Sequence, residues 1–345
     1  MISDCSRNDP FFKSALSVAP MMAWTDRHCR FFHRTLSKTA ILYTEMVTSR
    51  AIIYGDAQRF LDRYGDDTSC VLQLGGNVPD ELENAAKSAQ QFGWTHLNLN
   101  VGCPSDRVQS GCFGAILMKD PQLVADCVTA MGVSGIKDVS VKCRIGVDDD
   151  VPSEVLPEFL DHMVRAGVKN VIIHARKAWL KGLSPKENRT IPPLDYDLVF
   201  QMASAFPDLN IEINGGIETI DQVRLPIEKG LPSVMVGRAA YHKPGTILPF
   251  VDTGFDEDIP DLHGLIFASL KAMQAYIAGH LKNGGVMHQV TRHMHGIFHG
   301  MPGAAHWRRT LSSLTGDAVT DMRIFGELLD HMEQTTRNAS LESVA

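Results

Sequence analysis

The chain has 345 residues, 44% hydrophobic and 21% charged, with no apolar run near the roughly 18 residues of a membrane span, so an ordinary globular protein is expected. Its N-terminal MISDCSRNDP lacks a signal peptide's charged-then-apolar layout, which points to the cytoplasm. Seven cysteines without a C-x-x-C pair argue against a disulfide framework or a metal site, and the formal net charge of −7 speaks against nucleic acid unless the charge is unevenly spread.

From about residue 17 to 240, β-rich runs alternate with helical stretches. The runs are 17–23, 42–47, 70–74, 96–101, 139–145, 171–175, 210–214 and 233–236. Segments such as VIIH and SVMV are nearly continuous in apolar or β-branched residues, as strands buried on both faces must be. Helical signals lie between them. Asp120-Pro121 opens one helix that stops at Gly132, another runs 157–166 before Gly167, and a third runs 219–229 before Gly230. Eight strand–helix pairs predict a (β/α)8 TIM barrel, whose typical size is about 250 residues. A doubly wound sheet would carry G-x-G-x-x-G after its first strand, where this chain reads APMMAWTD. Past Tyr241 an acidic stretch, DTGFDEDIPD, has the look of a linker, followed by helices at 262–281 and 317–333. The expected organisation is a catalytic barrel over residues 1–250 and a small C-terminal helical domain over 251–345.

Active sites of this fold lie at the C-terminal strand ends. Strand three ends in Gln73 and strand four in NLNVGCP, with Asn100 and Cys103; strand five carries Lys142 and Arg144, and strand six ends in His174. A lysine and a histidine in strands this apolar need a partner, and an anionic cofactor would supply it. Asn214-Gly215-Gly216 and Gly237-Arg238 follow the last two strands, where this fold places phosphate. A tight β–α turn needs glycines too, so the phosphate reading draws its weight from the neighbouring Gln73, Lys142 and His174, which together suggest FMN. Cys103 is either a small buried residue or a thiol in the mouth of the pocket. The glycine-bearing DRVQSGCFGAILM behind it suits a loop closing over that mouth, and a protonated thiol can serve as an acid. Cys112 and the remaining cysteines are read as packing.

The segments APMMAWTDRHCR, LYTEMV, LQLGG, LNLNVGCPSDRVQSGCFGAILM, VKCRIG, HARKAWLKGLSPKENRTIPPLDY, INGGI and VMVGRAAY resemble, in order, those of tRNA-dihydrouridine synthases. The HARKAWL…SPKENR string resembles the A type. The resemblance implies FMN in the barrel, NADPH as reductant, and reduction of uridine 20/20a in the D-loop of tRNA, whose target base must leave its stack. It implies flavin contacts from Pro20, Met21, Met22, Gln73, Lys142 and His174, with Asn214, Gly215, Gly216, Gly237 and Arg238 around the phosphate. Asn100 would hold the uracil and Cys103 would protonate it. Lys186 and Arg189, by themselves two solvated loop charges, would grip tRNA, as would Arg308 and Arg309. A monomer is expected.

Another FMN barrel acting on a free pyrimidine would share this chemistry, though it has no use for a helical domain. The charge objection has a local answer. Residues 280–310 hold Lys282, Arg292, Arg308, Arg309 and six histidines without one Asp or Glu, which predicts a cationic face.

Overall fold

The computed structural model describes residues 14–63, 69–105, 111–133, 135–255, 259 and 261–342. Eight strands form a closed, wholly parallel barrel: β1 Leu16–Val18, β2 Ile41–Tyr43, β3 Cys70–Gly75, β4 His96–Val101, β5 Asp138–Arg144, β6 Asn170–His174, β7 Asn210–Asn214 and β8 Ser233–Val236. Neighbours follow chain order, and β1 closes the ring by pairing with both β2 (Ser17↔Ile41) and β8 (Ser17↔Met235). The expected barrel is what the chain builds. Its strands are buried along nearly their whole length. Ala19, Ile41, Tyr43, Val71, Ile172 and Met235 form a core cluster.

Local chemistry sets the helices that separate the strands. Asp120 caps Pro121–Met131 by accepting from Leu123 N–H at 3.1 Å, and Asp195 caps Tyr196–Ala205 through Leu198 N–H at 3.0 Å. The helix expected from residue 157 starts earlier, at Pro152, and runs to Arg165. Pro152 takes a first-turn position that needs no N–H. The buried face of Leu156, Phe159, Leu160 and Met163 then carries the helix past Pro157 at the loss of one backbone bond.

The chain divides into two compact units. Among the described residues, one holds 14–23, 41–217 and 221–237, and the other holds 24–40, 218–220 and the chain from 238 onward. Helices Leu262–Lys282, Met287–Thr291, Ala304–Ser312 and Ala318–Glu342 make up most of the second unit, together with Arg27–Leu36. Part of the expected linker is anchored there. Asp252 accepts from Ser37 Oγ, Lys38 N–H, and Thr39 N–H and Oγ1 at 2.6–3.0 Å. Residues 256–258 and 260 of that stretch lie outside the described residues. No helix among the described residues is long and apolar enough to cross a membrane.

The second unit is knitted by Asp26, which caps Arg27–Leu36 and binds Arg292 at 2.7 Å and His293 at 3.1 Å. Burial works to raise the Asp26 carboxyl, but the bonds and charge of His293, Cys29 N–H and Arg292 outweigh it and hold the acid well below its usual range. His28 and His33 are buried beside it. Burial, first of all, pushes them down to about 4 and about 3. A histidine lowered in the folded state charges first in the unfolded one. Stability is therefore full above about pH 6.5 and falls as pH drops from there toward 4, by about 1.4 kcal/mol per pH unit for each histidine. In the barrel, Glu212 is raised by burial to about 7 and slopes the opposite way between about 4.5 and 7, so the informative quantity is a difference. Relative to His33→Leu, the parent is expected to lose thermal stability steadily from pH 6.5 to 4. Parallel melting profiles for the two would refute this.

Candidate active site

Polar residues enter the barrel at alternate strand positions, as period-two geometry requires of an inward face. Gln73 on β3 is 1% exposed and bonded through its N–H, its oxygen and one of its two amide hydrogens. Its N–H donates to Thr44 Oγ1 at 3.0 Å, its Nε2 to Asn98 Oδ1 at 2.7 Å, and its Oε1 accepts from Asn100 Nδ2 at 2.9 Å. Asn98 passes the chain on to Ser140 Oγ at 3.0 Å, and Ser140 donates to Leu97 O. A satisfied network of this kind holds its members in single rotamers.

Its last member shapes the turn of Cys103. Asn100 Oδ1 accepts from the N–H groups of Gly102 at 3.2 Å and Cys103 at 3.0 Å, so Asn100 is first a turn cap, with one Nδ2 hydrogen left for a ligand. Cys103 O accepts from Ala115 N–H at 2.9 Å, and its Sγ lies 3.5 Å from Ser105 Oγ. The thiol is half-buried, while Cys29, Cys70, Cys127 and Cys143 are buried as expected of packing residues. Cys112 departs from that expectation: it is exposed, at a left-handed φ of 55°. Residues 106–110 of the loop expected to close over the mouth lie outside the described residues.

Two cations and a histidine gather on β5 and β6. Lys142 is partly exposed by area, yet its ammonium sits among strand ends and donates to Asn214 Oδ1 at 3.0 Å, while Asn214 Nδ2 donates to Met235 O. Burial and then the Arg144 charge lower Lys142 to about 8. Burial, followed by Arg144 and Lys142, holds His174 neutral, well below its usual value. Among the described residues neither Lys142 nor Arg144 forms an ion pair. The charges repel one another, and an anion would relieve them.

The glycines are required for a local reason as well. Gly215 (φ 115°) and Gly216 (φ 73°) occupy left-handed backbone, and a Cβ on Gly215 would stand 2.6 Å from His174 Cδ2. Tyr196 OH donates to Gly215 O, holding the turn. Among the described residues the N–H groups of Gly215, Gly216 and Gly237 meet no protein acceptor, which leaves them able to take an anion. Met21 Sδ would be 3.8 Å from a Cβ on Gly237; Pro20 is half-buried and Met22 is 62% exposed. Lys186 and Arg189 are exposed on the loop after β6, which Asn188 secures through Trp179, Leu183 and Ser184.

Arg238, Arg308 and Arg309 belong to the second unit. Arg238 opens the helix Arg238–His242, and the other two are exposed on Ala304–Ser312. The expected cationic face is smaller than the count of residues 280–310 implies. Arg292 is paired with Asp26 and His293 is buried, which leaves Lys282, Arg308 and Arg309 as its exposed cations. Sequence reasoning gave no role to Tyr196, Asn188 or Arg144. For Arg144 the signal was present: it continues the inward period of Ser140 and Lys142. Among the described residues no group of His, Cys, Asp and Glu could hold a metal ion.

A family model described as dihydrouridine synthase (Dus) matches residues 17–338. A Yersinia pestis protein named tRNA-dihydrouridine(20/20a) synthase is 50% identical over 300 residues, 86% of this chain and 85% of that one. The Escherichia coli K12 protein of the same name is 47% identical over 325 residues, 94% and 93% of the two chains. The solved old yellow enzyme homologue from Zymomonas mobilis is similar in fold alone, with TM-score 0.50 and 12% identity over 72% of this chain and 91% of that one. The chain belongs to the dihydrouridine synthase family of tRNA-modifying enzymes.

Proposed function

We propose that this enzyme reduces the C5=C6 bond of uridine 20 or 20a in the D-loop of tRNA, with FMN in the barrel mouth and NADPH as the electron source. The observation that carries the reading is the half-buried Cys103 thiol, held on a capped turn beside Lys142, Arg144 and His174, of which Lys142 and Arg144 form no ion pair among the described residues. The relatives' shared name supplies the substrate class.

The residues fit FMN. Free N–H groups at Gly215, Gly216 and Gly237 suit its phosphate, and Lys142 and His174, with the remaining hydrogen of Gln73, suit the polar edge of its ring. Pro20, Met21 and Met22 supply apolar surface. FMN held by these residues would supply the hydride chemistry needed at C6. Cys103 would then give its proton to C5 from a fixed position, with Asn100 setting that position and offering its free hydrogen to the uracil.

In this reading the barrel is the catalytic part, the helical unit binds tRNA, and the protein works as a cytoplasmic monomer. Lys186 and Arg189 grip the RNA from the barrel, with Arg308 and Arg309 on the helical unit. Dihydrouridine mapping of tRNA from cells lacking the protein tests the reading: the 20/20a modification should vanish and return with the purified enzyme, FMN and NADPH. Turnover of free uracil or orotate without any tRNA product would overturn it.

The two exposed arginines make a separate prediction. Each phosphate contact contributes a slope of roughly −0.7 to −0.9 in log K against log salt. Replacing Arg308 and Arg309 together by Ala should flatten the tRNA-binding slope by about one to two such steps and leave NADPH oxidation unchanged. An unaltered slope would remove this face from the binding model.

A further inference from the structure

Arg144 is 3% exposed, and all its hydrogen bonds go to backbone carbonyls. Its Nε donates to Gly102 O at 3.2 Å, next to Cys103 on the turn after β4. Its Nη1 donates to Asn188 O at 2.9 Å and Lys177 O at 3.3 Å, both on the loop after β6. Asn188 lies between Lys186 and Arg189, and its own side chain braces that loop from inside. The turn after β5 is stitched to the same loop. Val147 bridges Ala178, Asp148 N–H donates to Ala178 O at 2.7 Å, and Leu180 N–H donates to Asp148 Oδ1 at 2.8 Å. One planar guanidinium therefore spans two loops to which different tasks are assigned above. A flexible ammonium could not bridge three carbonyls in this way.

We propose that Arg144 is a positioning residue that couples the two loops: RNA held by Lys186 and Arg189 fixes the loop after β6, and Arg144 passes that constraint to the turn carrying Cys103. The inference rests on the function proposed above and concerns this one residue's part in it. It gives the loop charges two effects, on tRNA affinity and on the rate once tRNA is bound. The second effect travels through Arg144.

A double-mutant cycle separates coupling from general support. Single-turnover dihydrouridine formation at saturating tRNA is measured for the parent, Lys186→Ala/Arg189→Ala, Arg144→Met and the combination, with melting temperature and flavin content alongside. Arg144→Met alone should slow the saturated rate about 100-fold, the cost of misplacing a reacting group by about an ångström. In the parent, the loop pair should lower both affinity and saturated rate; in the Arg144→Met background it should lower affinity only. Arg144→Lys keeps the charge but not the span, so it should show the same loss of coupling, and it carries the test if the Met variant does not fold. Alkylation of Cys103 without tRNA, in a Cys112→Ser background, should be faster in both Arg144 variants. Rate effects that multiply within about twofold, with unchanged alkylation, would overturn the proposal. A parent that forms no dihydrouridine in tRNA would instead overturn the functional reading itself.

Discussion

Cys103→Ala is expected to lose roughly 10²- to 10⁴-fold in dihydrouridine formation, the range contributed by one positioned general acid. Two features make that effect separable from damage to the site. The turn is held by backbone groups of Gly102 and Cys103, which the substitution leaves in place. The side chain itself has one hydrogen-bond partner within the described residues, Ser105, at 3.5 Å. FMN content, tRNA affinity and melting temperature should therefore stay near those of the parent. Cys112→Ala, at an exposed position, should leave the rate unchanged. Cys103→Ser places a much weaker acid at the same position and should fall between parent and Ala or match Ala. Rates in the Ala variant within a few fold of the parent would mean that water or another residue delivers the proton.

The barrel was legible in the sequence because strands buried on both faces must be apolar nearly throughout. Residues such as VIIH of β6 and SVMV of β8 have few other readings. Helix starts were legible where a cap and a proline coincide, as at Asp120-Pro121. The start at Pro152 was hidden because Pro157 reads as the first residue of the helix, and only the buried face running past it decides otherwise. In the site, alternation told which polar residues point inward but not what they bond. Asn100 was read as a ligand for the base, and its oxygen is spent on the turn of Cys103. Arg144 was visible in the same period, yet its partners are carbonyls 42 residues earlier and 33 and 44 residues later, and carbonyls leave no mark in a sequence. The count of cations in residues 280–310 failed for a related reason. Arg292 answers to Asp26, which lies 266 residues earlier.

Lys142→Met is expected to weaken FMN binding at neutral pH on the order of 100-fold and to change its pH dependence. The ammonium is lowered to about 8 by burial and by Arg144, and among the described residues it has no acid in contact. Two close opposite charges near a protein surface attract by about 4 kcal/mol, so the anionic ring of reduced FMN beside Lys142 should lift it well above 8. Binding of reduced FMN in the pH range above 8 must then take up a proton. Affinity should fall about tenfold per pH unit from about 8 until the bound-state value is reached, with proton uptake visible in calorimetry across buffers of different ionisation heat. In Lys142→Met both the slope and the uptake should disappear. The variant should also lower the midpoint potential of whatever flavin it retains, because a positive charge beside the ring favours added electrons. A retained slope above pH 8 in Lys142→Met would assign the titration to another group, and an unchanged potential would move Lys142 away from the ring.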